Sequence, residues 1–321
     1  MRGRQKEFWY LPSSSRQGRK TPKGSVPPVC TPAKNRVSAE YARQDPALGL
    51  APLFRPVYHG RRPGGITVEH EHGGLQMKLN IWRALDCRDQ SVLLATIALA
   101  GKLGTEDLHA GISHCRAQQL WQNLKPEELA TLDQAVVVKT SRHALLQAAG
   151  MAVGKAEYGR LEECLERLSM VGCRVRKAEH EWSMRLLSYA KTRDERLHIA
   201  LNPRFAEALS GHYVHVSLTE RRALDSDTAQ LTHAWLSAWL RQGGRNSIRL
   251  DRLAEKVCGP PSTSASTNRS RRHRISKALQ DIDALDGWKV NVQGKGAAAK
   301  ATIERPTLDR QSLITGRTGI V

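Results

Sequence analysis

The sequence NRSRRHRISKALQDIDALDGWKVNV, residues 268–292, decides the expected fold of the last third of the chain. Apolar residues recur in it at intervals of three and four, which is the period of one buried helix face. They are Ile275, Leu279, Ile282 and Leu285. The pattern predicts an amphipathic helix ending near residue 285, and the following segment, residues 287–292, is typical of a β-strand.

The first half of this predicted helix is strongly basic, and no acidic residue interrupts it. At about 100° per residue, Ser270, His273 and Lys277 point away from the apolar stripe, and Arg269 and Arg274 flank them. Such a helix can enter the major groove of DNA, where arginine pairs with guanine and other cations meet phosphates. The candidate DNA-binding residues of this helix are Asn268, Arg269, Ser270, Arg271, Arg272, His273, Arg274 and Lys277.

A β-hairpin is expected after this helix. Its first strand carries Lys289, its tip carries Lys295, and residues 300–305 return as the partner strand. We expect both lysines to contact the adjacent DNA backbone, which adds affinity and salt dependence without sequence information.

The order short helix, turn, longer helix and β-hairpin is that of a winged helix-turn-helix. A similar order precedes it, with helices predicted at 143–149 and 155–171 and strands from 173. The fold class predicted is therefore α+β, mainly α, with tandem winged-helix domains. Lys155 and Arg160 are candidate DNA contacts on the longer helix of the first block, although four glutamates make packing or protein contact an equal alternative.

The chain divides into four predicted segments. Residues 1–45 form a disordered basic tail, with ten basic residues against three acidic ones. Residues 46–205 form the first winged-helix domain and 206–305 the second, and 306–321 form a C-terminal tail.

The composition favours a polyanionic partner. The 321 residues include 50 Lys and Arg against 31 Asp and Glu, a formal net charge of +19. Nucleic acid is the first candidate, and an anionic membrane surface is possible for the tail alone. The longest apolar run, residues 92–100, is too short to span a membrane, and no apolar core follows the basic N-terminus. The six cysteines include no CxxC pair, so we expect reduced thiols and a cytoplasmic protein.

Searches for catalytic motifs find only weak matches. Residues 150–155, GMAVGK, are one residue short of a phosphate loop. The pair His70 and His72 has a glutamate between them, unlike the histidine pairs of rolling-circle nickases. Asp225 and Asp227 fit a helix start as well as a metal site. Three further candidate metal ligands, without a fourth at zinc spacing, are His109, His114 and Cys115. We expect no catalytic site, metal or cofactor.

Several stretches resemble the initiator protein (RepC) of IncQ-type broad-host-range plasmids. They are RALDSDTAQL at 222–231 with His233, the basic block 269–274 with Gly287-Trp288, RLLSYA at 185–190, ALNP at 200–203, DP at 45–46 and LAPLFR at 50–55. The resemblance covers roughly residues 43–305 and is most specific in the last third.

This resemblance implies a non-enzymatic protein of the bacterial cytoplasm, built from two winged-helix domains. Such initiators bind direct repeats (iterons) in double-stranded origin DNA and help to open an adjacent A+T-rich region. They admit the plasmid-encoded helicase and primase, and they self-associate when they pair origins. Two alternatives stay open: a tandem winged-helix transcriptional repressor that does not melt DNA, and a metal-dependent nickase.

Overall fold

A computed structural model describes residues 40–57, 62–103, 106–109, 111, 115–132, 134–192, 196–203 and 213–307. The tails predicted at 1–45 and 306–321 therefore lie largely outside the described residues, as does His114. No helix within the described ranges is both long enough and apolar enough to cross a membrane.

The helices alternate with strands along the chain. The helices are α1 (Pro46–Leu50), α2 (Cys87–Leu103), α3 (Cys115–Leu124), α4 (Arg142–Ala148), α5 (Lys155–Ser169), α6 (Leu218–Arg222), α7 (Asp227–Trp239), α8 (Leu250–Cys258) and α9 (Ala265–Asp283). The strands are β1 (Tyr41–Gln44), β2 (Gly64–His72), β3 (Leu75–Arg83), β4 (Glu106–Leu108), β5 (Glu127–Glu128), β6 (Ala135–Ser141), β7 (Gly172–Lys177), β8 (His180–Arg185), β9 (Leu187–Lys191), β10 (Arg196–Leu201), β11 (Val214–Ser217), β12 (Arg245–Arg249), β13 (Lys289–Gln293) and β14 (Lys300–Glu304).

The prediction of a mainly α fold of tandem winged helices is wrong. Within the described residues the strands form four antiparallel sheets, ordered β1-β11, β4-β6-β10-β9, β12-β14-β13 and β2-β3-β7-β8-β5. The architecture is mixed α/β. The two blocks that were expected to repeat also differ, because β7 pairs with β3 in a five-stranded sheet whereas β14 lies between β12 and β13.

Buried and exposed residues alternate along β3, the second strand of the five-stranded sheet. Leu75, Met77, Leu79 and Ile81 are buried, and the residues between them are exposed. This period of two is typical of a strand with one face on the core. The prediction of a mainly α fold did not include the strands β2 and β3 of this sheet.

The apolar stripe predicted for the last long helix is confirmed. Ile275, Leu279 and Ile282 of α9 are fully buried, and Leu285 beyond the helix packs against the same core. Ser264 caps the start of α9 by accepting a hydrogen bond from the Thr267 amide. The helix packs on α7 and α8.

One buried apolar cluster extends from Ala42 to Ile303, and a smaller one surrounds α3. The buried Arg221 of α6 joins α2 to α7 within the large cluster. Its Nη1 donates to Gln90 Oε1 at 2.6 Å and to the Gln230 carbonyl at 2.7 Å, and its Nη2 donates to Ser91 Oγ at 2.9 Å. The boundaries proposed at 45, 205 and 305 stay predictions.

Candidate nucleic-acid interface

The loop before α9 fixes the direction in which the basic helix begins. Asn268 Oδ1 accepts a hydrogen bond from the Ser262 amide at 2.9 Å, and its Nδ2 donates to the Ser262 carbonyl at 2.7 Å. Both polar ends of this side chain are therefore satisfied by the loop. Asn268, a predicted DNA contact, is placed to hold the loop 259–264 against the first turns of α9.

Three of the predicted arginines are held by the protein itself. Arg271 Nη1 donates to the carbonyl oxygens of Gly259, at 3.3 Å, and of Pro260. Arg272 Nη1 forms an ion pair with Asp251 Oδ1 of α8 at 2.8 Å. The third, Arg274, donates from Nε to a backbone carbonyl one turn earlier, at 3.3 Å.

A second set of predicted residues faces solvent. Arg269, His273 and Lys277 follow one another at intervals of four residues, so they form one row on the outer face of α9. All three are exposed, and so is Ser270 beside them. Within the described part of the chain, no hydrogen bond or ion pair engages the side chains of this row. Their donors are therefore available to an external acceptor, as direct contact with a DNA base or phosphate requires.

The β13–β14 hairpin is anchored to the end of α9. The Val290 amide donates to Asp283 Oδ1 at 2.6 Å. The buried Trp288 donates from Nε1 to Glu220 Oε2 at 2.9 Å, and the same oxygen lies 2.6 Å from His233 Nε2. This Trp288–Glu220–His233 cluster was not predicted from the sequence, although Trp288 and His233 belong to the stretches that carry the family resemblance.

Both predicted lysines of the hairpin are exposed. Lys295 stands at the tip, beside two glycines with positive φ, at 81° for Gly294 and 62° for Gly296. The Lys289 side chain is 78% exposed, and its Nζ lies 3.9 Å from Glu304 Oε2. The anchored hairpin therefore presents two cations on the same module as the α9 row.

Helix α5 differs from α9 in charge. Lys155 is exposed in its first turn, whereas Arg160 pairs with Glu157 of the same helix. Glu162 pairs with Arg142 at 2.9 Å and with Lys191 at 3.2 Å. Because glutamates meet the cations along this helix, α5 is less suited than α9 to approach a phosphate backbone.

The structure also describes most of the residues that matched catalytic motifs weakly. Gly150 has a φ of 70°, and a Cβ there would lie 2.8 Å from Arg222 Cγ, so an arginine side chain fills the space beside the phosphate-loop-like turn. The pKa of His70 is lowered to about 4 by burial, by Lys256 and by His72. Among the described residues, no group of three or more His, Cys, Asp or Glu side chains is placed to hold a metal ion.

Comparison with known proteins gives one family match. The family model described as "Replication protein C (RepC)" matches residues 36–307. No curated protein matches the chain. Among solved structures, a crystal structure of selenomethionine derivatives of domains 2 and 3 of RctB matches with 9% identity and a TM-score of 0.46, covering 79% of this chain and 95% of the other. A second structure of RctB domains 2 and 3 matches with 10% identity and the same TM-score of 0.46, covering 84% and 99%.

Proposed function

The chain belongs to the replication protein C (RepC) family, and from this premise we propose that it initiates plasmid replication by binding repeated sequences at the origin. One observation supports this proposal most strongly: the outer row of α9, Arg269, His273 and Lys277, is exposed and unengaged within the described residues. A buried apolar stripe holds the opposite face of the same helix against α7 and α8.

In the proposed complex, α9 lies in the major groove of each repeat. Arg269 and Lys277 contact base edges or phosphates, and Lys289 and Lys295 follow the neighbouring backbone. Arg271, Arg272 and Arg274 are largely occupied in holding α9 and its loop, and they add positive potential around the groove.

Repeats spaced along one face of the duplex would align several protomers and bend the DNA. Bending costs on the order of a few kcal/mol per site, and contacts between protein and DNA offset it. We propose that this deformation helps to open an adjacent A+T-rich region, through which the plasmid's helicase and primase enter. The proposal includes no catalytic step.

The test uses a supercoiled plasmid that carries the protein's own origin. We expect DNase I protection over the repeats and permanganate-reactive thymines in the A+T-rich region only when the protein is present. Protection without permanganate reactivity would indicate a repressor that binds but does not melt DNA. Open circles that form with magnesium or manganese would indicate a nickase.

A further inference from the structure

Arg55 comes from the opposite end of the sequence and lies beside the loop that precedes α9. Its backbone is well fixed, because Leu53 and Phe54 are buried and the Arg55 amide donates to the Leu85 carbonyl at 2.9 Å. The side chain is only partly exposed. The sequence predicts no role for Arg55, because nothing near it in the chain indicates contact with residues two hundred positions later.

Arg55 and Arg271 flank the same glycine. A Cβ built on Gly259 would lie 3.6 Å from Arg55 Nη1, and the Gly259 carbonyl accepts a hydrogen bond from Arg271 Nη1 at 3.3 Å. Burial lowers the pKa of Arg55, and the neighbouring charge of Arg271 lowers it further. The φ of 87° at this buried position favours glycine, and both guanidinium groups lie beside its backbone.

No carboxylate compensates these charges within the described residues. Arg55 and Arg271 form no ion pair there, and neither does Lys256, three residues before Gly259. The nearest acids on α8 are already engaged, Asp251 by Arg272 at 2.8 Å and Glu255 by Arg252 at 2.5 Å. The carbonyl end of α8 offsets only about half a unit of charge. An arrangement of like charges without a counter-ion is suited to an external anion.

We propose that Arg55 and Arg271 together bind one phosphate group of the DNA backbone, beside the groove that α9 enters. The inference rests on the proposed function and extends the interface to the first half of the chain. The Arg55 side chain has no hydrogen-bond partner in the described part of the protein, and Arg271 uses only Nη1 on the loop carbonyls. The remaining donors fit the oxygens of a phosphodiester. This contact carries no sequence information, so it adds affinity to any duplex.

The test compares dissociation constants of wild-type protein and of Arg55→Gln for the origin repeat and for a scrambled duplex, over a range of salt concentrations. Loss of one phosphate contact makes the plot of log Kd against log salt concentration less steep by about 0.9. It also weakens binding by roughly three- to tenfold at moderate salt. We expect this loss on both duplexes, with their ratio unchanged. Arg55→Lys keeps the charge, so its slope is expected to match that of the wild type.

Arg116→Gln is the matched control, because Arg116 is exposed on α3, which belongs to the smaller core cluster. It removes the same net charge, and we expect the wild-type slope. A slope for Arg55→Gln equal to that of Arg116→Gln would overturn the phosphate site, and so would a loss confined to the origin repeat. Equal thermal midpoints of the variants exclude misfolding as the cause.

A titration with inorganic phosphate distinguishes a site for the DNA backbone from a site for free phosphate. At equal ionic strength, we expect it to raise the thermal midpoints of wild-type protein and Arg55→Gln equally. Stabilisation that depends on Arg55, together with an unchanged DNA slope, would assign the site to free phosphate and overturn the DNA contact. If wild-type protein does not prefer the origin repeat but Arg55→Gln still loses slope, the proposed function fails and the phosphate site stands.

Discussion

Arg269 and Arg272 stand one turn apart on α9 but have different surroundings. Arg272 is paired with Asp251, whereas Arg269 is exposed and unengaged within the described residues. A sequence shows that both are arginines on one helix, and it cannot show that an aspartate from α8 meets only one of them. The division of the basic segment into outward and engaged residues therefore required the structure.

Replacing Arg269 with alanine tests the outward row. If Arg269 reads a base, Arg269→Ala lowers the preference for the origin repeat over a scrambled duplex by about 1–3 kcal/mol. The measurement is a pair of dissociation constants at one salt concentration. Equal losses on both duplexes would show that Arg269 contacts only phosphate.

His215 gives a prediction about stability and pH. Burial, followed by the charges of Arg43 and Arg305, lowers its pKa to about 4. In an unfolded chain the pKa of histidine is about 6.5, so between these two values the unfolded chain binds the proton and the folded protein does not. The contribution of neutral His215 is therefore complete above about pH 6.5 and is lost as the pH falls toward 4.

The thermal midpoint of His215→Gln is accordingly expected to fall less than that of the wild type when the pH is lowered within this window. His180→Gln, at an exposed position on β8, serves as the control and is expected to follow the wild type. If His215→Gln and wild type lose the same number of degrees, this assignment is wrong.

At the scale of elements, the loop and first turns of α9 act as one unit organised by Asn268. Asn268→Ala removes two hydrogen bonds to Ser262, so we expect a loss of about 1–3 kcal/mol in the free energy of unfolding. DNA affinity should fall as well, because the row of α9 loses its fixed direction. Asn268→Asp keeps the acceptor but not the donor, and an intermediate loss is expected.

Chemical denaturation and DNA binding of the two Asn268 variants measure these effects. Asn268→Ala with unchanged stability and weaker DNA binding would contradict the positioning role. It would instead indicate that the side chain leaves the loop and contacts DNA directly.

Elements with a strong local period were predictable, and sheet pairing was not. The stripe Ile275–Ile282 repeats at the helical period, and its burial was correctly predicted. The hairpin after it also forms, since Gly287 and the residues up to Val292 have turn and strand character. The pairing of β3 with β7 joins residues about a hundred positions apart, and no local pattern specifies it. The tandem interpretation failed for that reason.

At the scale of the molecule, one buried cluster joins the two halves of the described chain. We therefore expect a single cooperative unfolding transition, with coincident curves from far-UV circular dichroism and tryptophan fluorescence. Tryptophans report on this cluster from both halves, because Trp182 packs against it and Trp288 belongs to it. Two separated transitions would contradict a shared core and favour independent domains divided near residue 205.

Replacing Arg221 tests directly whether the two halves of the described chain are held together. Arg221→Ala leaves Gln90 and Ser91 of α2 without their partner in a buried site, and a loss of about 1–3 kcal/mol in the free energy of unfolding is expected. Arg222→Ala, at an exposed neighbouring position whose side chain donates one hydrogen bond to the Ala148 carbonyl, is the control and is expected to cost less. A loss no larger than that of the control would show that Arg221 does not hold α2 and α7 together.

The central claim is that a member of the RepC family binds repeated origin DNA through the outer row of α9. Fluorescence anisotropy tests it most directly, with wild-type protein on its own origin repeat and on a scrambled duplex at two salt concentrations. We predict a preference of about a thousandfold or more that persists at the higher salt, and its reduction in a protein carrying Arg269→Ala and Lys277→Ala. Equal affinities for both duplexes, falling together as salt rises, would contradict the claim. They would show that the net charge of +19 supports only non-specific binding to polyanions.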